Sequence, residues 1–154
     1  MRCLTLKQPY AYFMCDLPPE YRKDVENRVR TITSEMGPLL IHTSATKDSP
    51  ADRLYFDTAC EQAERRGVPR ELLPRYEDLD RGVLYGCLRF TGILPKASLM
   101  DPMHRWKFPG QVGYTCADAL RLPPRPLRGQ QTFFYVALTV EEEALLRQAG
   151  HVFA

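Results

Sequence analysis

The chain has 154 residues, of which 44% are hydrophobic and 26% charged, with a formal net charge of +2. This is the composition of a globular protein that buries roughly two-thirds of its unfolded surface, and one domain over residues 1–154 is expected. No apolar run approaches the roughly 18 residues of a membrane span, and the net charge is too small to demand a polyanionic partner.

The N-terminal MRCLTLKQPYAYFMCDLPP has no basic stretch followed by an apolar one, so no signal peptide is expected and a cytoplasmic location is. Cys3–Leu6 reads as a first strand. Pro9 favours a helix start, and a short helix is predicted from there to about Cys15, broken by Asp16–Glu20. Val25–Ile32 is predicted as the second strand. With period two, Glu26, Arg28 and Arg30 share one face and Val25 and Val29 the other. Such alternation ordinarily marks a half-buried strand with a wet outer face. Gly37-Pro38 forms a turn, and Leu39–Ser44 an apolar third strand. A helix follows: Ser49 is its N-cap, Pro50 its first residue and Gly67 its stop. Ala51, Leu54, Tyr55, Ala59 and Ala63 recur at helical spacing. One helical turn is predicted at Arg70–Leu73.

Gly82–Leu94 reads as a long strand whose glycines permit a bulge. Asp101–Gly110 is an irregular loop, Val112–Leu122 a strand, Pro123–Gly129 a proline-fixed connector and Thr132–Leu138 a buried strand. Thr139 and Glu142 form a capping box opening a terminal helix over about residues 140–149. The prediction is an α+β fold: a small mixed barrel of five to six strands flanked by helices.

The five cysteines are odd in number and widely spaced, and read as free thiols in a reducing compartment. No metal-ligand run is present, and neither a metal nor a cofactor is expected. Lys7, Gln8, Pro9 and Tyr10 sit where strand becomes helix, a place for an anion or an ordinary helix start. Trp106, flanked by His104, Arg105 and Lys107, has the basic–aromatic interleaving that suits nucleic acid, though a tryptophan there also serves as a plug for the barrel end. His42, alone in an apolar strand, reads as a structural hydrogen-bonded group. Lys96–Gln130 carries six bases against two acids, a net +4, whereas Lys47–Arg81 carries seven bases against nine acids. One end of the molecule is therefore expected to be basic.

LTLKQPYAYFM, VENRVRT, GPLLIHTSA, GVLYGCLRFTGIL and GYTCADALRLPPRPLRGQQTFFYV occur in an order and spacing that resembles the ASCH domain, a PUA-like barrel. The match runs from about Cys3 to Leu138, and is most similar to the branch found in the activating signal cointegrator protein. The resemblance implies a cleft beside the barrel, walled by the QPxA helix start and the ExR strand, holding RNA, single-stranded DNA or a nucleotide-like small molecule. Carried over by position, it points to Lys7, Gln8, Pro9, Tyr10, Glu26 and Arg28, with His42 and Ser44 at the end of the third strand and Trp106 and Tyr114 opposite. It turns the Glu26/Arg28 face from solvated surface into a cleft floor.

The first functional expectation is thus a monomeric RNA-binding module, with Arg105 and Lys107 adding to its basic surface. The alternative is a small hydrolase, a ribonuclease or a nucleoside amidohydrolase. One ASCH branch that hydrolyses acylated cytidine nucleosides uses a lysine and a threonine three residues apart. Here the lysine position is Lys23, but Glu26 stands where the threonine would be, which removes that nucleophile. Lys23, Glu26 and His42 remain as acid–base candidates. A protein-interaction role for the acidic Asp48–Asp80 region ranks third.

Overall fold

A computed structural model describes residues 1–45, 48–98 and 103–151. The elements are β1 (Arg2–Leu6), α1 (Tyr10–Cys15), β2 (Val25–Arg28), β3 (Gly37–Thr43), α2 (Pro50–Arg65), β4 (Val83–Leu94), β5 (Val112–Pro126), β6 (Phe134–Tyr135) and α3 (Val140–Gln148), with 3-10 turns at Pro19–Tyr21, Arg70–Leu72 and Tyr76–Asp78. The fold is α+β, with one six-stranded sheet in the order β2-β5-β4-β3-β1-β6. β1 and β3 run parallel and every other neighbouring pair is antiparallel. Among the described residues no ladder joins β2 to β6, so backbone pairing does not close the sheet. It nevertheless curls. β1 and β2 stand four places apart, about 19 Å in a flat sheet, yet residues from both line one cleft.

Strand alternation divides the core. Leu4, Leu6, Leu39 and Ile41 pack with Tyr85, Leu88, Phe90 and Tyr114 on one face, under Ala11 and Met14 of α1. Cys3, Leu40, Leu84 and Cys87 pack with Phe134, Val136 and Leu146 of α3 on the other. A third cluster joins Phe13, Leu17 and Val25 to Ala59 and Ala63 of α2 and to Trp106.

Several expectations are corrected. β2 ends at Arg28, with a bend at Val29 and Arg30, so the period-two pattern stops there and Val29 is 75% exposed. β5 runs through the proline segment predicted as a connector, pairing as far as Val83↔Pro126. Its ladder with β2 stops at Val25↔Thr115. Beyond that point no strand among the described residues pairs with that edge of β5, and prolines there lose no sheet partner. The strand predicted at 132–138 shrinks to two residues, and Tyr135 is exposed. Leu54, placed on the apolar stripe of α2, is exposed as well.

The two helix starts form as their residues dictate. Ser49 Oγ accepts from Asp52 N at 3.1 Å. Thr139 Oγ1 accepts from Glu142 N at 3.1 Å while Glu142 Oε2 accepts from Thr139 N at 3.0 Å. Gly67 and Gly150, just past the ends of α2 and α3, hold φ of +93° and +85°, a conformation that favours glycine.

Candidate functional site

A cleft of about 860 Å³ opens between the C-terminal ends of β1 and β3, strand β2, helix α2 and the 127–131 loop. Its size is typical of small-ligand and nucleotide sites. β1 delivers Thr5 and Lys7, α1 Tyr10, β2 Glu26 and Arg28, β3 His42 and Ser44, and α2 Tyr55.

The floor is a bracketed carboxylate. Glu26 Oε2 lies 3.2 Å from Lys23 Nζ and Oε1 3.0 Å from Arg28 Nε. The lysine contact is a hydrogen bond. The Arg28 Nε–H is off-line for one and, itself buried, keeps no hydrogen-bond partner. The side chains of Lys23 and Glu26 are nearly enclosed, whereas that of Arg28 keeps 29% of its surface open. Between them they carry one net positive charge. A buried carboxylate with a cation on each oxygen is neutralised without help from water, and the guanidinium is the group left to face a ligand.

Aromatic rings form one wall. Lys7 Nζ stands 4.1 Å from the centre of the Tyr55 ring, and Lys23 Nζ 5.3 Å from that of Tyr10. Tyr10 and Tyr55 meet edge to face at 5.8 Å, and the Tyr10 hydroxyl donates to Gln62 Oε1 at 3.0 Å. Burial pushes both phenols up, so they stay neutral.

On the opposite side the imidazole of His42 is fixed at both nitrogens. Nε2 lies 2.6 Å from the Leu127 carbonyl and Nδ1 3.1 Å from Thr5 Oγ1. A carbonyl can only accept, so Nε2 carries the proton. Burial pulls the His42 pKa below its ordinary value, with the Leu127 bond opposing in part. The ring is therefore neutral, and the Thr5 hydroxyl donates to a free Nδ1 lone pair. Gly129 lies over this pair. A Cβ at that position would fall 2.4 Å from His42 Cε1 and 2.8 Å from Thr5 Oγ1, so only glycine lets the loop close on the ring.

Of the residues singled out by sequence, Lys7, Tyr10, Lys23, Glu26, Arg28, His42 and Ser44 line this cleft together. Gln8 and Pro9 do not. Gln8 is buried, donating to the Asp80 carbonyl at 3.0 Å and accepting from Tyr12 N at 3.1 Å, which fixes the start of α1. Arg105, Trp106, Lys107 and Tyr114 also lie outside it. Arg105 donates to the Glu20 carbonyl at 2.6 Å. Trp106 is 1% exposed and packs 5.6 Å from Phe13, the plug rather than the stacking platform. Lys107 is wholly enclosed, its ammonium donating to the carbonyls of Phe108 at 2.9 Å and Ser98 at 3.3 Å. The Tyr114 hydroxyl accepts from Ile32 N and Thr33 N and donates to the Thr33 carbonyl, which holds the segment leaving β2. Asp101 and Pro102 of the same loop lie outside the described residues.

No family model matches the chain. No curated protein matches it either.

The cleft residues missed by sequence reading include Thr5, Tyr55, Arg128, Gly129 and the two glutamines at 130 and 131. Arg128 was visible only as one charge in the basic segment. Thr5 had a findable signal, since it alternates with the buried Leu4 and Leu6 on β1 and so points to the other face. All five cysteines are unpaired. Burial holds the Cys60 thiol up at about 11 and those of Cys3, Cys15 and Cys87 at about 12, which leaves them poor nucleophiles. Among the described residues no group of three His, Cys, Asp or Glu side chains could hold a metal ion. No helix among them is long and apolar enough to cross a membrane.

Proposed function

We propose that this cleft binds single-stranded nucleic acid, RNA foremost, or a nucleotide-like portion of it, and that the chain is a cytoplasmic ASCH-type domain with a PUA-like curled sheet. The observation that carries the reading is the charge and ring content of one cavity. Among the described residues, Lys7, Lys23, Arg28 and Arg128 line it against a single carboxylate, Glu26, which is already paired, and the rings of Tyr10 and Tyr55 stand beside them. Cations for phosphate and flat rings for a base are the two components of single-strand recognition. Arg28, whose side chain keeps 29% of its surface open, suits a phosphate or a base edge. The Thr5–His42 pair and Ser44 offer polar partners for a ribose or base.

The test is an RNA titration at two salt concentrations, comparing the parent protein with Lys7→Ala and Arg28→Ala. Expected is affinity that falls steeply with salt and by about tenfold in each variant, the scale of one or two charge-assisted contacts. Binding equal in all three proteins would overturn the reading.

The hydrolase alternative gains one specific observation, a hydroxyl donating to a neutral imidazole inside the cleft. Hydroxyl and base in hydrogen-bond contact are the minimum for activating a nucleophile or a 2′-hydroxyl. RNA recovered intact after prolonged incubation, with acylated nucleosides also unchanged, would exclude it.

A further inference from the structure

The cleft does not stop at Arg28. A second groove of about 470 Å³ shares Arg28 and Gln131 as walls with the first, and runs past Val29, Arg30 and Phe133. A third, of about 530 Å³, shares Arg30 and Thr31 with the second and ends at Pro95 and Lys96. The three cavities thus share walls in succession along β2 and the segment that leaves it. This continuity follows from the end of β2 at Arg28. The bend at Val29 and Arg30 takes the chain out of its ladder with β5, and the Tyr114 hydroxyl pins the backbone at Ile32 and Thr33. The exit segment becomes a ledge and not a wall.

The charge along this path is one-sided. Arg30 and Lys96 line the outer grooves, and among the described residues no carboxylate does. Among the described residues that line the path, the one acid is Glu26, enclosed between Lys23 and Arg28. Apolar surface continues too, with Phe133 in the second groove and Ile93 in the third. Fully extended, the chain from Lys23 to Thr31 would reach at most about 28 Å, which caps the strand at a few nucleotides.

We propose that the occupant is an extended single strand of several nucleotides, seated with one nucleotide in the cleft and its neighbours running over the Arg28–Arg30–Lys96 ledge. This rests on the ligand class proposed above and adds its path and length. A free mononucleotide would use the inner cleft alone. A duplex is too wide for a groove bent around one strand, and its stacked bases would be withheld from the rings.

The experiment is a binding series with AMP and with oligo(A) RNA of about two, four and eight nucleotides, at the lower end of known single-strand site sizes. The proteins are the parent, Arg30→Ala, Lys96→Ala and, as a remote surface-charge control, Arg75→Ala. Arg30, Lys96 and Arg75 are all solvent-exposed, so the variants keep the core intact; circular dichroism confirms it. Expected is affinity rising about tenfold or more from AMP to the longer oligomers. Arg30→Ala and Lys96→Ala should weaken only the longer ones, each lowering the salt slope by about 0.7, while Arg75→Ala matches the parent. AMP binding as tightly as the octamer, or ledge variants indistinguishable from the parent on every ligand, would overturn the path and leave the inner cleft standing. No binding at any length would overturn the ligand class and the path with it.

Discussion

Glu26 illustrates how a single residue couples stability to the site. It lies on the cleft floor with cations on both oxygens, and its neighbour Lys23 is 3% exposed. Glu26→Gln leaves a buried ammonium facing a neutral amide. The expected cost is about 3 kcal/mol, read as a lower urea midpoint. Replacing both partners, as in Lys23→Met with Glu26→Leu, should recover most of it, because the penalty comes from the stranded charge. His42 makes a pH-dependent contribution. Its folded pKa lies below the ordinary 6.5. Above that value the ring is neutral in both states and contributes no pH dependence. As pH falls through it, the unfolded chain takes up a proton first, so stability is lost down to the folded pKa. Thermal melts from about pH 7 to about pH 5 should show the gap between the parent and His42→Gln narrowing with acid. A constant gap would mean that the ring does not titrate against folding.

At the scale of elements, the ends of helices carry tertiary as well as local bonds. Glu142 completes the capping box of α3 and also accepts from Arg125 of β5, at 2.5 Å to Nε and 3.2 Å to Nη2. Thr139→Ala removes one cap bond, at about 1 kcal/mol. Glu142→Gln weakens the cap and the bridge together and should cost about 2 kcal/mol, with the double variant less than additive because the two share a network. Chemical denaturation of the three variants checks the order. The same element shows what local sequence encodes. Thr139, Glu142 and Gly150 sit within one short stretch, and the helix they bound is the one observed, to within a residue at its C-terminus. β5 shows the opposite. Pro123, Pro124 and Pro126 signal a connector to any local reading, yet they lie in a strand because β2 is too short to need their missing donors.

For the molecule as a whole, a net charge of +2 hides a cleft whose described residues include four cations and one carboxylate. If that cleft takes RNA, saturating oligonucleotide should stabilise the folded state, by about 2.7 kcal/mol at one hundred times its dissociation constant. The stabilisation should fade as salt rises, and be lost in Lys7→Ala and Arg28→Ala. A melting temperature that ignores RNA at low salt would argue against the site. The basic–aromatic cluster around Trp106, prominent in sequence, takes no part in this. Asn27 clamps it, its amide donating to the Trp106 carbonyl at 2.8 Å and accepting from Phe108 N at 2.7 Å. Trp106→Ala is therefore a core truncation.

The sequence by itself determined what is local. Helix caps, the alternation that sends Leu39 and Ile41 to one core and Leu40 to another, and the strand-to-helix turn at Lys7–Tyr10 all depend on residues a few positions apart. The pairing of Lys23 with Glu26 belongs here too, three residues along one stretch. Only the tertiary structure decided which charges converge. Thr5, Arg28, His42, Tyr55 and Gly129 are spread over more than half the chain and meet because the sheet curls and the 127–131 loop closes over β1 and β3. It likewise decided that Trp106 and Lys107 turn inward, since a tryptophan is as good a plug as a platform and the packing of Phe13 and α2 makes the choice. Periodicity reports which face of an element is apolar. It carries no information about which polar faces will look at one another, because that depends on register and curvature summed over the whole sheet.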